Sequence, residues 1–448
     1  MLARRPPWAY RLAVATVTRA AVVAAAFNDK VSRGIIGRRG LRKRYAAWAA
    51  AGRDQRRPLI WFHAPSVGEG LQTKPVIEAL RAARPDWQLA YTFYSPSAEP
   101  LARSLPVDFV DYLPFDRPHG VAAALDALAP QALVYGKLDV WPELTLAAAG
   151  RGVRLGLIAA TVSESSSRLT WPARAWAAPA YAALDRIGAI AEPDAARLER
   201  LGARRAAITI TGDTRYDSVV QRAGRLDRAA EPFATLAAGG ERWFTIVAGS
   251  TWPADEAVVL PAFTEVRAQG VPARLLLAPH EPTARHLAAI DAAVRGAGLP
   301  TPFRLSHLEP GGPSEDAPIV VIDRVGSLAD LYALGQAAYV GGGYHAAGLH
   351  SVLEPAVFGV PVVFGPNWRM SRDAAILLER GAAVALPAEG RAALRDLWLQ
   401  WRRESAVPAR AGAAAAAVVR EGTGAAARTT ALVTELLEPV APPPRPRA

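Results

Sequence analysis

The chain contains no cysteine among its 448 residues, which excludes disulfides, thiolate metal sites and a cysteine nucleophile together. Its seven histidines (His63, His119, His280, His286, His307, His345, His350) show no paired spacing on a helix. No Asp-x-Asp pair is present to hold a divalent ion beside a phosphate, so the chemistry expected is metal-free and without a cofactor. A clean apolar run of membrane-spanning length is also missing. WAYRLAVATVTRAAVVAAAF, from Trp8 to Phe27, is long enough, but Arg11 and Arg19 interrupt it. It lacks a convincing small-residue cleavage site as well, which favours a retained anchor over a signal peptide.

Apolar residues make up 51% and charged residues 21%, an ordinary globular balance that argues against disorder. A chain of this length exceeds what one core serves, so two domains of about 150 to 200 residues are expected. The formal charge of +11 is concentrated at one end: residues 1–57 hold 14 Lys or Arg against Asp29 and Asp54, and the remainder is near neutral. Nucleic-acid binding calls for a basic stripe on a folded domain, so this asymmetry favours an anionic membrane surface over DNA or RNA. Arg11 and Arg19, eight residues apart, would share a helix face. The helix could then lie flat with Trp8, Leu12, Val22, Val23 and Phe27 towards acyl chains, while Arg38, Arg39, Arg42, Lys43 and Arg44 meet lipid phosphates. The alternative is an Ala-rich helix packed on the body.

Beyond Pro58 the pattern alternates strand and helix. LIWFHA (59–64), QLAYTFY (88–94), DFVDYLP (108–114), ALVYG (132–136), VRLGLIAA (153–160), IGAIAE (187–192) and AITITG (207–212) read as buried strands. After an Arg-, Ala- and Gly-rich stretch at 222–240, taken as a linker, the alternation restarts with WFTIVAG (243–249), ARLLLAP (273–279), PIVVID (318–323), AAYVGG (337–342), PVVFG (361–365) and AAVAL (382–386). Continuous apolar strands alternating with helices predict two Rossmann-like, doubly wound α/β domains. The predicted organisation is an anchor over 1–45, one domain over 50–222, a second over 240–435, and a disordered tail over 436–448. Residues 306–317 read as a surface loop. Ligands in such sheets bind beyond the carboxyl ends of the strands, which puts the expected site in a cleft between the domains.

Two stretches carry candidate chemistry. HAPSVGEG (63–70) joins a strand to a helix, and Ser66-x-x-Glu69 fits a capping box. The functional alternative makes Glu69 a general base whose burial raises its pKa towards the operating pH. His63 ends an apolar strand and reads as a hydrogen-bonded buried histidine. GGGYHAAGLHSVLEPAVFGVPVVFGP (341–366) ends a strand with Gly341, Gly342 and Gly343, whose amides could approach a phosphate, and a helix expected near Ser351 would point its positive end at the same place. Ser351-x-x-Glu354 is again a possible capping box. Its functional alternative has the Glu354 carboxylate accept hydrogen bonds from a ribose diol. His345, His350, His280 and Arg372 could touch phosphate. Trp141-Pro142 reads as a helix start, with the tryptophan either packed or stacking on a sugar.

HAPSVGEG, LDVWPEL (138–144), SESSSR (163–168), GDTRYDS (212–218), AGSTWPADE (248–256) and LEPAVFGVPVVFGP (353–366) together resemble the 3-deoxy-D-manno-octulosonic acid (Kdo) transferases of lipopolysaccharide synthesis. The likeness runs in order to about residue 390. It implies a GT-B glycosyltransferase that moves Kdo from CMP-Kdo to a lipid A precursor, inverting and without metal, at the cytoplasmic face of the inner membrane. By resemblance the base falls on Glu69. The donor elements fall on Gly249, Ser250, Thr251, Gly326, Ser327 and Glu354, and the acceptor side on Ser66, Gly68, Lys137, Asp139 and Trp141. The chain departs from the family pattern in three places: Lys137 stands at the first acid of the usual Glu-x-Glu-x-Trp-Pro, Thr161 replaces an arginine, and Ser351 replaces an asparagine after His350. Such changes leave open a related transferase with a different activated sugar, or a paralogue without turnover.

Overall fold

The computed structural model describes residues 5–238, 242–308 and 317–437. Most of the tail expected to be disordered, most of the 306–317 loop and the last two residues of the expected linker therefore lie outside the described residues. The chain divides into two compact units, one of residues up to Ser218 together with those from Thr423, the other Val219–Gly422.

In the first unit seven strands, β1 (Leu59–His63), β2 (Gln88–Phe93), β3 (Phe109–Tyr112), β4 (Ala132–Gly136), β5 (Arg154–Ala160), β6 (Arg186–Ala189) and β7 (Ile208–Ile210), form one sheet in the order β3-β2-β1-β4-β5-β6-β7. Every pairing is parallel. All residues of β1, β2 and β4 are buried, which is why they read as unbroken apolar runs rather than alternating ones. The order reverses between β1 and β4, so the loops after these two strands diverge and leave room for a ligand at their carboxyl ends.

The second unit repeats the plan with β8 (Phe244–Thr251), β9 (Ala273–Pro279), β10 (Phe303–Arg304), β11 (Ile319–Val321), β12 (Ala337–Val340), β13 (Val362–Phe364) and β14 (Ala383–Ala385), in the order β10-β11-β9-β8-β12-β13-β14. Its reversal lies between β8 and β12. All thirteen predicted strands form. The two-residue edge strand β10 was not predicted, because it carries no apolar run. The expected linker is largely folded: it holds the end of helix Thr214–Gly224 and the helix Phe233–Ala238, whose Phe233 and Leu236 are buried. Residues from Thr423 return to the first unit, where helix Ala425–Thr434 packs on helix Val67–Ala83, so the second unit ends earlier than the expected residue 435.

The N-terminal segment forms helices Trp8–Ala24, Asp29–Gly37 and Leu41–Ala51. Among the described residues no single helix is long and apolar enough to cross a membrane. Trp8, Leu12, Val22, Val23 and Phe27 are exposed. The basic residues differ from expectation. Arg11 forms a two-point bond to Glu143, each contact 2.6 Å, and Tyr10 donates to Asp116 at 2.6 Å, so this face of the first helix is held on the body. Arg44 pairs with Asp111. Arg38 donates to the carbonyls of Gly34, Tyr94 and Leu113 and lies 4.1 Å from the Tyr94 ring centre, with Tyr112 and Phe115 also around it. Only Arg39, Arg42 and Lys43 of that run keep exposed side chains free of such bonds. Leu41 and Tyr45 are buried, each worth about 2 kcal/mol, so helix Leu41–Ala51 is packed into the core of the first unit. Arg38→Ala should lower the stability of this unit by about 3 kcal/mol, read by urea unfolding, since three carbonyls and three rings lose a shared cation. An unchanged midpoint would show that the segment packs without it.

Candidate functional site

In the first unit, the turn after β1 and the loop after β4 converge at the strand-order reversal. Ser66 is the N-cap of helix Val67–Ala83 in extended conformation, but its side chain caps no backbone amide. The expected capping box therefore does not form. The Ser66 hydroxyl instead donates to Glu69 Oε2, and Lys137 Nζ lies 3.2 Å from Glu69 Oε1. Burial pushes the Glu69 pKa up, yet the Ser66 hydrogen bond and the Lys137 charge outweigh it and hold it below the usual glutamate value. The upward shift expected from burial is thus reversed. Glu69 is ionised at neutral pH, with its side chain 18% exposed. Gly68 is exposed beside it.

Lys137 follows β4 with φ +64°, left-handed for a residue with a side chain, and its amide is pinned to the Ile158 carbonyl at 2.7 Å. Asp139 accepts from Arg168 at 2.5 Å; burial raises its pKa, opposed by Arg168 and reinforced by Glu69. Arg168, which completes this group of two acids and two bases, was not among the sequence candidates. Its only signal was its place in SESSSR. Thr161 is turned to Asp194, to which its hydroxyl donates at 2.9 Å.

His63 is fully buried. Its Nδ1 meets the Thr92 carbonyl at 3.0 Å, and its Nε2 accepts from Trp141 Nε1 at 3.1 Å, so the ring is neutral with the proton on Nδ1. Burial lowers its pKa to about 3. Trp141 does precede a helix with Pro142 in its first turn, and its ring stacks on Tyr94 at 5.2 Å. With its N–H on His63 and one face on Tyr94, Trp141 is a packed ring.

In the second unit, the end of β8 and the loop after β12 meet. Trp252 stacks on His345 at 3.9 Å and on His280 at 4.7 Å, and its Nε1 donates to His350 Nε2 at 3.2 Å. Burial and the neighbouring His280 lower the His350 pKa, which suits a ring whose Nε2 is an acceptor. The buried Asp255 organises this corner. Its carboxylate accepts from Tyr339 Oη and the Gly342 amide, each at 2.8 Å, from the Trp252 amide at 3.0 Å and from the Tyr344 amide at 3.3 Å.

The glycine run therefore works differently from expectation. The Gly341 amide bonds the Gly249 carbonyl and the Gly342 amide bonds Asp255, so neither is open to a phosphate. The glycines are needed for close backbone packing: a Cβ on Gly341 would lie 2.2 Å from the Ser250 carbonyl oxygen, one on Gly342 2.1 Å from that of Gly348, and one on Gly343 2.3 Å from the Gly365 nitrogen. Thr251 is likewise committed, its hydroxyl donating to the buried Glu256 at 2.8 Å. Ser250 has φ +54°.

The helix expected at Ser351 begins at Leu353 and is only four residues long, with Val352 as its N-cap and no side-chain cap, so this capping box is absent too. Among the described residues nothing hydrogen-bonds the Glu354 carboxylate. Burial raises its pKa, moderated by Arg222. Arg222 also bonds the Gly326 carbonyl at 2.7 Å and Asp330 at 3.2 Å, which places Gly326 and Ser327 in the same corner. Buried Tyr332 links this group to Gly249, where a Cβ would lie 2.1 Å from its hydroxyl. Arg372 opens the helix after β13. Asp255, Trp252 and Arg222 were missed by the sequence reading, although Trp252 and Asp255 lie in the quoted AGSTWPADE. Among the described residues no group of three or more His, Asp or Glu side chains converges as a metal would require.

Residues 39–218 match the family model described as 3-deoxy-D-manno-octulosonic-acid transferase (kdotransferase). A 3-deoxy-D-manno-octulosonic acid transferase of Bordetella pertussis is 31% identical over 400 residues, covering 86% of this chain and 89% of that protein. The chain belongs to the Kdo transferase family. A transferase of the same name from Aquifex aeolicus is 25% identical over 72% of this chain and 80% of its own. Among solved structures, UDP-GlcNAc 2-epimerase from Neisseria meningitidis matches 85% of this chain and 99% of its own with a TM-score of 0.57 at 13% identity. A glycosyltransferase from Rickettsia africae matches 86% and 99% with a TM-score of 0.57 at 9% identity. These last two bear on fold alone. The protein is a glycosyltransferase whose two parallel-sheet units resemble those of the GT-B class.

The family departure at Lys137 is thus a direct contact to Glu69, whereas that at Thr161 faces an internal aspartate. His63 gives a pH test of the packing behind this site. Its folded pKa is depressed from the ordinary histidine value near 6.5, so the unfolded chain takes a proton first and stability falls as pH drops through that value. The loss should be about 1.4 kcal/mol per pH unit below about 6.5, fading near pH 3. His63→Gln should flatten this part of the stability profile in urea unfolding; a wild-type profile without that slope would mean the ring titrates normally.

Proposed function

We propose that this enzyme transfers Kdo from CMP-Kdo to a lipid A precursor at a membrane surface, inverting the anomeric centre and using Glu69 as general base. The observation that carries the reading is an ionised glutamate at the carboxyl edge of β1 and β4, with neither oxygen used in a helix cap. A carboxylate in that state takes the proton of an acceptor hydroxyl as its oxygen bonds to the anomeric carbon. The bond from that carbon to the phosphate oxygen breaks, and CMP leaves with the electron pair. The same negative charge stabilises an oxocarbenium-like transition state.

On the donor side, the partly buried Glu354 carboxylate, without a hydrogen-bond partner among the described residues, is suited to a ribose diol, with Gly326 and Ser327 in the same corner. His280, His345 and His350 around Trp252 offer ring N–H groups to phosphate. With the Gly341 and Gly342 amides occupied, these rings and Arg372 take over the role first given to the glycines. A divalent ion has no part in this scheme. The exposed stripe of Trp8, Leu12, Val22, Val23 and Phe27, with Arg39, Arg42 and Lys43, supports an interfacial anchor on anionic lipid at the cytoplasmic face of the inner membrane.

Incubation with CMP-Kdo and tetra-acylated lipid A precursor should give a product heavier by one or more Kdo residues. Its absence, with product from another nucleotide sugar, would reassign the donor. Glu69→Gln should lower transfer by about 100-fold or more while leaving donor affinity nearly intact; equal activity would remove Glu69 from the role. Glu354→Ala should weaken CMP binding measured by calorimetry, and unchanged affinity would separate it from the donor.

A further inference from the structure

The contact between Lys137 and Glu69 conflicts with the step just described. Before any acceptor arrives, both oxygens of the base carry donors: Ser66 on Oε2 and Lys137, at 3.2 Å, on Oε1. A hydroxyl can rotate away or donate while its partner gains a proton. An ammonium competes with that proton for the same oxygen.

The surroundings show which group can move. Arg168 is held by Asp139 at 2.5 Å and is not available to replace Lys137. The Lys137 backbone is fixed by its left-handed conformation and its bond to Ile158, but its side chain is 39% exposed on a flexible four-carbon stem. The charged and titratable groups facing Glu69 are Lys137 and Asp139, with His63 and Tyr91 behind it held neutral by burial. Counting Arg168, two acids balance two bases. Among the described residues around Glu69, Lys137 is therefore the cation able to swing to an incoming anion, and that movement uncovers Glu69.

We propose that Lys137 is a positioning residue for an anionic group, phosphate or carboxylate, on the acceptor beside its attacking hydroxyl: this group draws the ammonium off Glu69 and leaves Oε1 open to the hydroxyl proton. The inference rests on the Kdo-transfer reading. Lys137 keeps its own protons throughout; the acceptor proton goes to Glu69, the new carbon–oxygen bond forms, and the donor's bond to phosphate breaks with CMP as leaving group.

The test compares the full-length protein on three acceptors: the phosphorylated lipid A precursor, the same molecule after phosphatase treatment, and a precursor already carrying one Kdo carboxylate. The wild type should favour one anionic acceptor over the neutral one by about tenfold or more in kcat/KM, and the preferred acceptor tells phosphate from carboxylate. Lys137→Met should abolish that preference, raise the rate on the neutral acceptor, and move the acid limb of the pH profile upward, because the cation that favours ionised Glu69 is gone. Lys137→Arg should retain the preference. A Lys137→Met enzyme reduced by the same factor on every acceptor, or a wild type without preference, overturns the inference alone. No transfer by the wild type to any of the three overturns the Kdo-transfer reading and this inference with it.

Discussion

Every strand pairing in both sheets is parallel, and that one constraint decides where chemistry can occur. Parallel strands need a crossover after each one, so all carboxyl ends gather on one edge and all the loops leaving them start there. Where the strand order reverses, between β1 and β4 and between β8 and β12, successive loops turn to opposite sides and their first residues are left facing a gap. Glu69, Lys137 and Asp139 stand at the first reversal; Trp252, His345 and His350 stand at the second. Sequence neighbours did not bring these groups together. The crossover rule did.

Within each unit, buried aspartates hold the loops around its own reversal point. Asp116 accepts from the Glu143 and Leu144 amides, Asp194 from Val162, and Asp255 from Trp252, Gly342 and Tyr344. Each satisfies amides at a helix start or strand end that would otherwise be unpaired, and a buried carboxylate missing such donors would cost several kcal/mol. Burial pushes the Asp116 pKa up to about 6 even with Tyr10 and two amides bonded to it. These acids are internal anchors, whereas Glu69 and Glu354 are partly exposed and cap no helix.

This division explains what could be read from the sequence. The strands were legible because a parallel sheet buried on both faces writes itself as short runs such as LIWFH and ARLLLAP. Glu69 was legible as a candidate, and its capping-box alternative fitted the same spacing; only coordinates show Ser66 turned to the carboxylate instead of the backbone. The glycine run was misread for a related reason. An amide's partner is set by whatever the fold brings near it, and Asp255 lies 87 positions before Gly342. Arg168 escaped notice because its role exists only once the loop after β5 meets the loop after β4. The basic head was read by composition, which cannot tell Arg38, enclosed by Tyr94 and Tyr112, from exposed Arg42.

Backbone strain gives a last link between the two units' chemistry. Of the non-glycine residues with positive φ among those described, Lys137 directly follows β4 and Ser250 lies at the register shift near the end of β8, both strands flanking a reversal point. A left-handed conformation costs a side-chain-bearing residue about 1 kcal/mol or more, and persists where surrounding bonds fix it. The Lys137 amide is tied to Ile158, and the Ser250 carbonyl oxygen packs on Gly341. In the first unit the chain bends as it leaves β4, and in the second β8 is kinked one residue before its end. At position 137 that bend accompanies a side chain whose ammonium lies 3.2 Å from Glu69 Oε1.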